Sequence, residues 1–183
     1  MANVSAAKPG VGGGIWMAPA GTTLPTDAST ALAAAFKSLG YVSEDGVTRG
    51  TALDSTTVKA WGGDVVAILG NSKTETFRFQ LIEPDNLDAL GLAYGEATGT
   101  LADGITVKSK ADLTAPHPFV ISTLMANNIH KRLVIPSGVV TAIGDTVYVD
   151  NKAVGVEVTI TAIADSSGVT CYDYMKTVTP VTT

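Results

Sequence analysis

KTETFRFQLIE (73–83) and KAVGVEVTITAI (152–163) are the two stretches that decide the fold. In the first, Glu75, Phe77, Phe79 and Leu81 alternate with Thr74, Thr76, Arg78 and Gln80. In the second, Val154, Val156, Val158 and Ile160 alternate with Glu157, Thr159 and Thr161. Alternation with a period of two places the apolar residues on one side of an extended chain and the polar ones on the other, whereas a helix needs a period near 3.6. Both stretches are strands with one dry and one wet face.

Working outward, DVVAILGNSKTETFRFQLIE (64–83) reads as a hairpin with Gly70-Asn71-Ser72 at its tip. Pro84 then opens a short helix, PDNLDALGLAYG (84–95), whose Asp85 and Asp88 suit the amino-terminal end and whose glycines close it. Strands are expected at 105–108, 119–125 and 131–135. The last ends at Pro136, which cannot donate to a ladder. A further extended stretch covers 139–149, and Asp150-Asn151 turns the chain into the second diagnostic strand. The turn DSSG (165–168) leads to VTCYDYMKTV (169–178), where Tyr172 and Tyr174 share a face.

Upstream, 15–18 is a short strand and the alanine-rich 27–39 is a short helix or a packed loop. The segment 41–64 begins extended and then offers turns at Asp45-Gly46, Arg49-Gly50 and Gly62-Gly63, so a long loop is expected over about 43–63. A glycine-rich stretch, GVGGG (10–14), marks a flexible arm over about 1–14, and a polar tail covers about 178–183. The fold class is mainly β: β-sandwich or barrel-like antiparallel sheets with one short flanking α-helix, in a single domain over 1–183.

Composition narrows the function. The chain of 183 residues is 45% hydrophobic and only 16% charged, with a mean hydropathy of +0.27. That is high for a protein without an apolar run long enough to span a bilayer, and it points to surface buried between subunits. A net charge of −5 argues against tight nucleic-acid binding, which rests on Lys and Arg displacing counterions. The same sign suits a wall past which a polyanion slides. No basic segment followed by an apolar core opens the chain, so folding in a cytoplasm is expected.

Chemistry is sparse. Cys171, His117 and His130 fall short of a four-ligand zinc site, and one cysteine makes no internal disulfide. The nucleophile pattern G-x-S-x-G is absent, and neither GVGGG (10–14) nor LGNSKT (69–74) has phosphate-loop spacing. His117, between two prolines, is a solvated loop residue, and His130 in IHKR (129–132) is solvated or at an interface. The acid pairs Glu44-Asp45 and Glu83 with Asp85 border turns, where such residues serve local geometry. Cys171 is a small packed residue. No catalytic residue, metal or cofactor is expected. Trp16 and Trp61 lie in segments too glycine-rich to build a core, which favours an interface role.

The succession GIWMAPAGTTLP (14–25), FKSLGYVSEDGVT (36–48), KTETFRFQLIE (73–83) and KRLVIPSGVVTAIGDTVYVDNKAVGVEVTITAI (131–163) resembles the major tail (tail tube) proteins of long-tailed bacteriophages, most closely those of phages infecting actinobacteria. The resemblance implies a structural virion subunit and not an enzyme. Subunits would join their sheets into hexameric rings, and rings would stack into a tube through which genome DNA passes without specific binding. It implies assembly in the host bacterial cytoplasm and, as partners, the subunit itself and other tail proteins: tape measure, tail terminator, and baseplate or tip. The long loop would reach the adjacent ring, with Trp16, Tyr41, Glu44, Asp45, Arg49 and Trp61 as candidates for subunit and inter-ring contacts. Thr74, Thr76, Arg78, Gln80, Glu157, Thr159 and Thr161 are the candidates to face the lumen, with a subunit contact left open for Arg78. A capsid decoration or tail-end protein, or a carbohydrate-binding β-sandwich module, are the rival readings.

Overall fold

A computed structural model of the chain describes residues 5–10, 14–151 and 153–177. The expected tail at 178–183 lies outside the described residues, as do Lys152 and parts of the expected arm. The elements in chain order are β1 (Ala7–Pro9), β2 (Ile15–Met17), β3 (Lys37–Ser38), β4 (Val42–Lys59), β5 (Val65–Leu81), α1 (Leu87–Tyr94), β6 (Gly95–Thr100), β7 (Gly104–Ser109), β8 (His117–Met125), β9 (Ile129–Ile143), β10 (Val156–Ile163) and β11 (Tyr172–Thr177), with one 3-10 turn at Ala126–Asn128. The described pairings are all antiparallel.

The main sheet runs β3-β2-β8-β9-β10-β5-β4, with β1 added to β8 and β11 to β9. Strand β9 holds it together. Its first half pairs with β11 as far as Val134, and its second half pairs with β10 from Ser137. Pro136 falls between these two partners, where that edge needs no donor, and a register irregularity lies opposite it on β8 between His117 and Phe119. The two strands expected at 131–135 and 139–149 are therefore one strand that passes through the proline and ends at Ile143; residues 145–149 are extended but unpaired.

The dry faces meet in one core. Phe77, Phe79 and Leu81 of β5 and Val158 and Ile160 of β10 pack with Ile15, Phe119, Ile121 and Ile135 from the other half, and Ala89, Leu92 and Ala93 of α1 fill one end. The alternation expected for β5 and β10 is observed residue by residue, except that Val154 precedes the strand. A smaller cluster on the outer side of β2, β8 and β9 comprises Ala18, Phe36, Val120 and Val134, with Trp16, Tyr172 and Tyr174 against it. The segment 18–36 that covers it is irregular, which resolves the choice at 27–39 in favour of a packed loop ending in β3. It is held by buried Arg132, which donates to the carbonyls of Asp27 and Thr30 at 3.0 and 2.9 Å.

Helix α1 starts after Asn86, not at Pro84, because the Asn86 side chain accepts from the backbone of Asp88 and Ala89. Gly95 caps its far end with φ 104° and opens β6, a strand the sequence reading missed. The arm expected over about 1–14 is pinned at Ala7–Pro9, whose backbone pairs with Thr123–Met125 of β8. A free edge there offers unpaired groups that a neighbouring segment satisfies.

Two larger corrections concern 41–83. The expected long loop at 43–63 is the strand β4, and the expected tip at Gly70-Asn71-Ser72 lies within the single strand β5. Together they form one long hairpin whose turn is Ala60 to Asp64, closed by the Ala60 amide on the Asp64 carbonyl at 2.8 Å. The polar run 48–57 lacks hydrophobic alternation because neither of its faces is buried in the subunit, and the turn-forming residues at 70–72 coincide with a register slip, not a reversal.

At the hairpin's base, Glu75 is 2% exposed. It accepts from Arg49 Nη2 at 2.7 Å and from the Thr170 hydroxyl, with Lys73 Nζ at 3.4 Å. Arg49 also reaches Asp173 of β11 at 3.0 Å, which Lys131 of β9 approaches at 3.4 Å, so the network ties β4 and β5 to the opposite margin of the sheet. Burial pushes the Glu75 carboxyl up, but the Thr170 and Arg49 hydrogen bonds and the nearby cations outweigh it and hold it below the ordinary value.

A folded-state value below the unfolded one means that this stabilisation is complete above the ordinary carboxylate range and is lost as pH falls through the folded value. Glu75→Gln is expected to flatten that part of the acid-unfolding curve followed by circular dichroism. Arg49→Ala is expected to cost about 2 kcal/mol in urea unfolding, below the ~3–5 of a fully buried pair because Arg49 is partly solvated and Lys73 remains. At Gly138, a Cβ would stand 2.8 Å from the ring of Phe119, itself fully buried. Gly138→Ala is expected to destabilise by about 1–3 kcal/mol in the same measurement.

Candidate functional site

The hairpin is the least ordinary surface of the subunit. Every residue from 51 to 70 is exposed, including Leu53, Val58, Trp61, Val65, Val66, Ile68 and Leu69. Ile68 and Leu69 are consecutive on a strand and so point to opposite faces, and both are exposed. The distal ribbon is thus exposed with apolar residues on two sides. A two-stranded ribbon is marginal in water, and so large an apolar surface marks an interaction site. At the tip, Gly62 and Gly63 take φ of 113° and 97° and leave Trp61 fully exposed.

A second surface is the wet face of β4, β5, β10 and β9. The cross-strand pairs Gln80 with Glu157, Arg78 with Thr159, and Thr76 with Thr161 bring the seven lumen candidates together, Thr74 continuing the row on β5. Thr48, Gly50 and Ala52 of β4 extend it on one side. On the other, Thr141 bonds the Thr161 hydroxyl at 2.9 Å. The face is a field of hydroxyls and amides. On β5 and β10 its charged residues, Arg78 and Glu157, stand 4.0 Å apart and offset each other, and the acids Glu44, Asp45 and Asp145 lie beside Gln80.

The remaining interface candidates are dispersed. Tyr41 is exposed beside the start of β4, and Glu44 and Asp45 are exposed next to Gly46, whose φ is 66°. Trp16 is half-buried on the outer side of the sheet, its backbone paired with Ser38, three residues before Tyr41. Arg49 is committed within the subunit to Glu75 and Asp173. The structure therefore keeps Tyr41, Glu44 and Asp45 at the base of the hairpin, with Trp61 at its far end.

A third surface escaped the sequence reading. Beside α1, an apolar cavity of about 360 Å³ is lined by Leu81, Leu90, Tyr94, Val107, Tyr148 and Val156, with Glu83, Ser109 and Thr146 among its polar groups. The unpaired segment 145–149 forms one wall, held by a 3.1 Å hydrogen bond between the Tyr94 and Thr146 hydroxyls, and leaves Val147, Tyr148 and Val149 exposed. The apolar residues of the distal hairpin were missed as well, because VVAIL (65–69) has the composition of a buried strand. The signal available was the adjacent Trp61-Gly62-Gly63, a turn sequence directly before it.

The titratable groups show local, structural roles. His117, expected in a solvated loop, is half-buried at the start of β8 with Nδ1 3.3 Å from the carbonyl of Ala18, and His130 of β9 pairs with Lys176 of β11. Burial pushes the Cys171 thiol up to about 12 despite the opposing charge of Arg49, the reverse of what an attacking thiolate needs. Among the described residues, no group of three or more His, Cys, Asp or Glu is placed to hold a metal ion, and no helix is long and apolar enough to cross a membrane.

The surfaces are those of a subunit that is completed by neighbours. A search of curated proteins returns no match. Comparison with protein-family models matches the family described as phage tail tube protein over residues 2–182. An antiparallel β subunit with an unpartnered apolar hairpin agrees with that match, and the chain belongs to the phage tail tube protein family, as a structural, non-enzymatic component of the virion tail that assembles with itself and with other tail proteins.

Proposed function

We propose that this chain forms closed rings, hexamers by family resemblance, which stack into a tube that conducts genome DNA. The observation that carries the reading is the long hairpin with both faces apolar and exposed. Burying such a ribbon against neighbours removes the apolar surface from water and gives the edge of β4 a partner. Tyr41, Glu44 and Asp45, grouped at the base of that edge, are placed to meet a neighbouring subunit, and Trp61 to meet the next ring. Arg49 acts instead within its own subunit.

The hydroxyl-rich face of β5 and β10 is the lumen wall in this reading. Thr74, Thr76, Gln80, Thr159 and Thr161 offer a polyanion hydration without a fixed cation, and Glu157 offsets Arg78. DNA passes without being held. Assembly takes place in the host cytoplasm, with tape measure, terminator, and baseplate or tip proteins as the ends and filling of the tube. The phrases LGYVSEDG (39–46) and KRLVIP (131–136) are among those that carry the resemblance, which runs closest to the tail tube proteins of phages infecting actinobacteria.

Replacing 52–74 by a two-residue Asn-Gly turn between the paired Thr51 and Glu75 is expected to leave folded subunits or single rings and no tubes under negative stain. Tubes of normal length from that variant would refute the stacking role. For the lumen, Thr74→Lys adds one cation per subunit on an exposed position. Tubes should assemble normally, while phage carrying the substitution should lose about tenfold in ejection rate or infectivity as lysines engage phosphates. Unaltered ejection would remove this face from the lumen.

A further inference from the structure

Strand β5 begins at the hairpin turn and ends at the cavity beside α1: Val65 follows the tip that carries Trp61, and Leu81 lines the cavity. The two features lie about 50 Å apart along the strand, at opposite ends of one stiff element, so the tip cannot reach the cavity of its own subunit. One is a protruding indole with no contacts. The other is an apolar recess of about 360 Å³, within the range that encloses an aromatic group.

We infer that Trp61 of one subunit seats in the recess between α1, β7 and the 145–149 segment of a second copy of this chain. This rests on the stacking role proposed above and names its socket. Tyr94, Tyr148, Leu90 and Val107 supply apolar walls for the indole, and the hydroxyls of Ser109 and Thr146 are acceptors for its N–H.

The recess is free of charges that would exclude an indole: Lys108 and Lys110, alternating with Val107 and Ser109, bind Glu96 instead, and Glu83 on its wall already accepts from the Tyr41 amide. The exposed run 51–70 is also about as long as one side of a standard protein interface, roughly 20–30 residues. A knob and a socket at opposite ends of the same body make a heterologous contact, which adds copies in one direction and does not close on itself as a two-fold pair does.

The test uses the full chain with two single substitutions, both at exposed positions and both checked for unchanged circular dichroism. Trp61→Ala removes the knob, and Val107→Arg fills the socket. Each alone is expected to give rings and no tubes. Rings of the two variants, formed separately and then mixed, should join as pairs and stop there, because only the intact knob of one fits the intact socket of the other. Tubes of normal length from either variant alone, no pairing in the mixture, or full-length tubes from the mixture would each overturn the inference. If the hairpin truncation abolishes tubes while Trp61→Ala does not, only the socket assignment falls. If the truncation itself leaves tubes, the stacking role falls with it.

Discussion

Strand β9 belongs to two layers at once, and the rest of the subunit follows from that. A strand that serves two partners in succession has to change neighbours without leaving a backbone donor unpaired. The sequence solves this by putting Pro136, which has no donor, between the last residue paired with β11 and the first paired with β10. Gly138 then lets the ring of Phe119 lie against the backbone. Bent in this way, one sheet supplies both walls of the core, and α1 is needed only to close an end.

The bend also sets where polar groups must be reconciled. Arg49, Glu75, Asp173 and Lys131 meet across the open margin of the sheet, a place that a second layer would otherwise fill with apolar residues. A buried carboxylate is tolerable there because a hydroxyl and two cations surround it. The alternative, a hydrophobic margin, would add to an apolar surface that the hairpin already makes large. The charged network thus fixes the geometry of the hairpin's base while the distal part remains bare.

Where a residue's surroundings lie inside the subunit, the sequence was informative. The alternation through Phe77 and Phe79, and through Val158 and Ile160, is imposed by burial on one side and water on the other, and it appears unaltered in the structure. The polar residues opposite them fall on one shared face in the structure, since register carries each strand's parity to the next. Legibility failed where that contrast vanishes. Residues 48–57 have no buried face, so they lack the pattern of a strand while being one. VVAIL (65–69) has the composition of an interior strand, yet each of its residues is exposed in the subunit. Gly70-Asn71-Ser72 has turn chemistry, and what it produces is a slip in register within a continuous ribbon. The recess beside α1 joins residues from four separate stretches, which no local pattern brings together.

The hairpin has one more property beyond its apolar surface. Two paired strands of L-amino acids twist with a fixed hand, and a narrow ribbon twists more than a wide sheet. The direction in which the tip faces is therefore rotated from that of its base by an angle set by the number of paired residues between them. In the stacking proposed above, the length of β4 and β5 would therefore govern the direction in which each subunit presents its tip to the next.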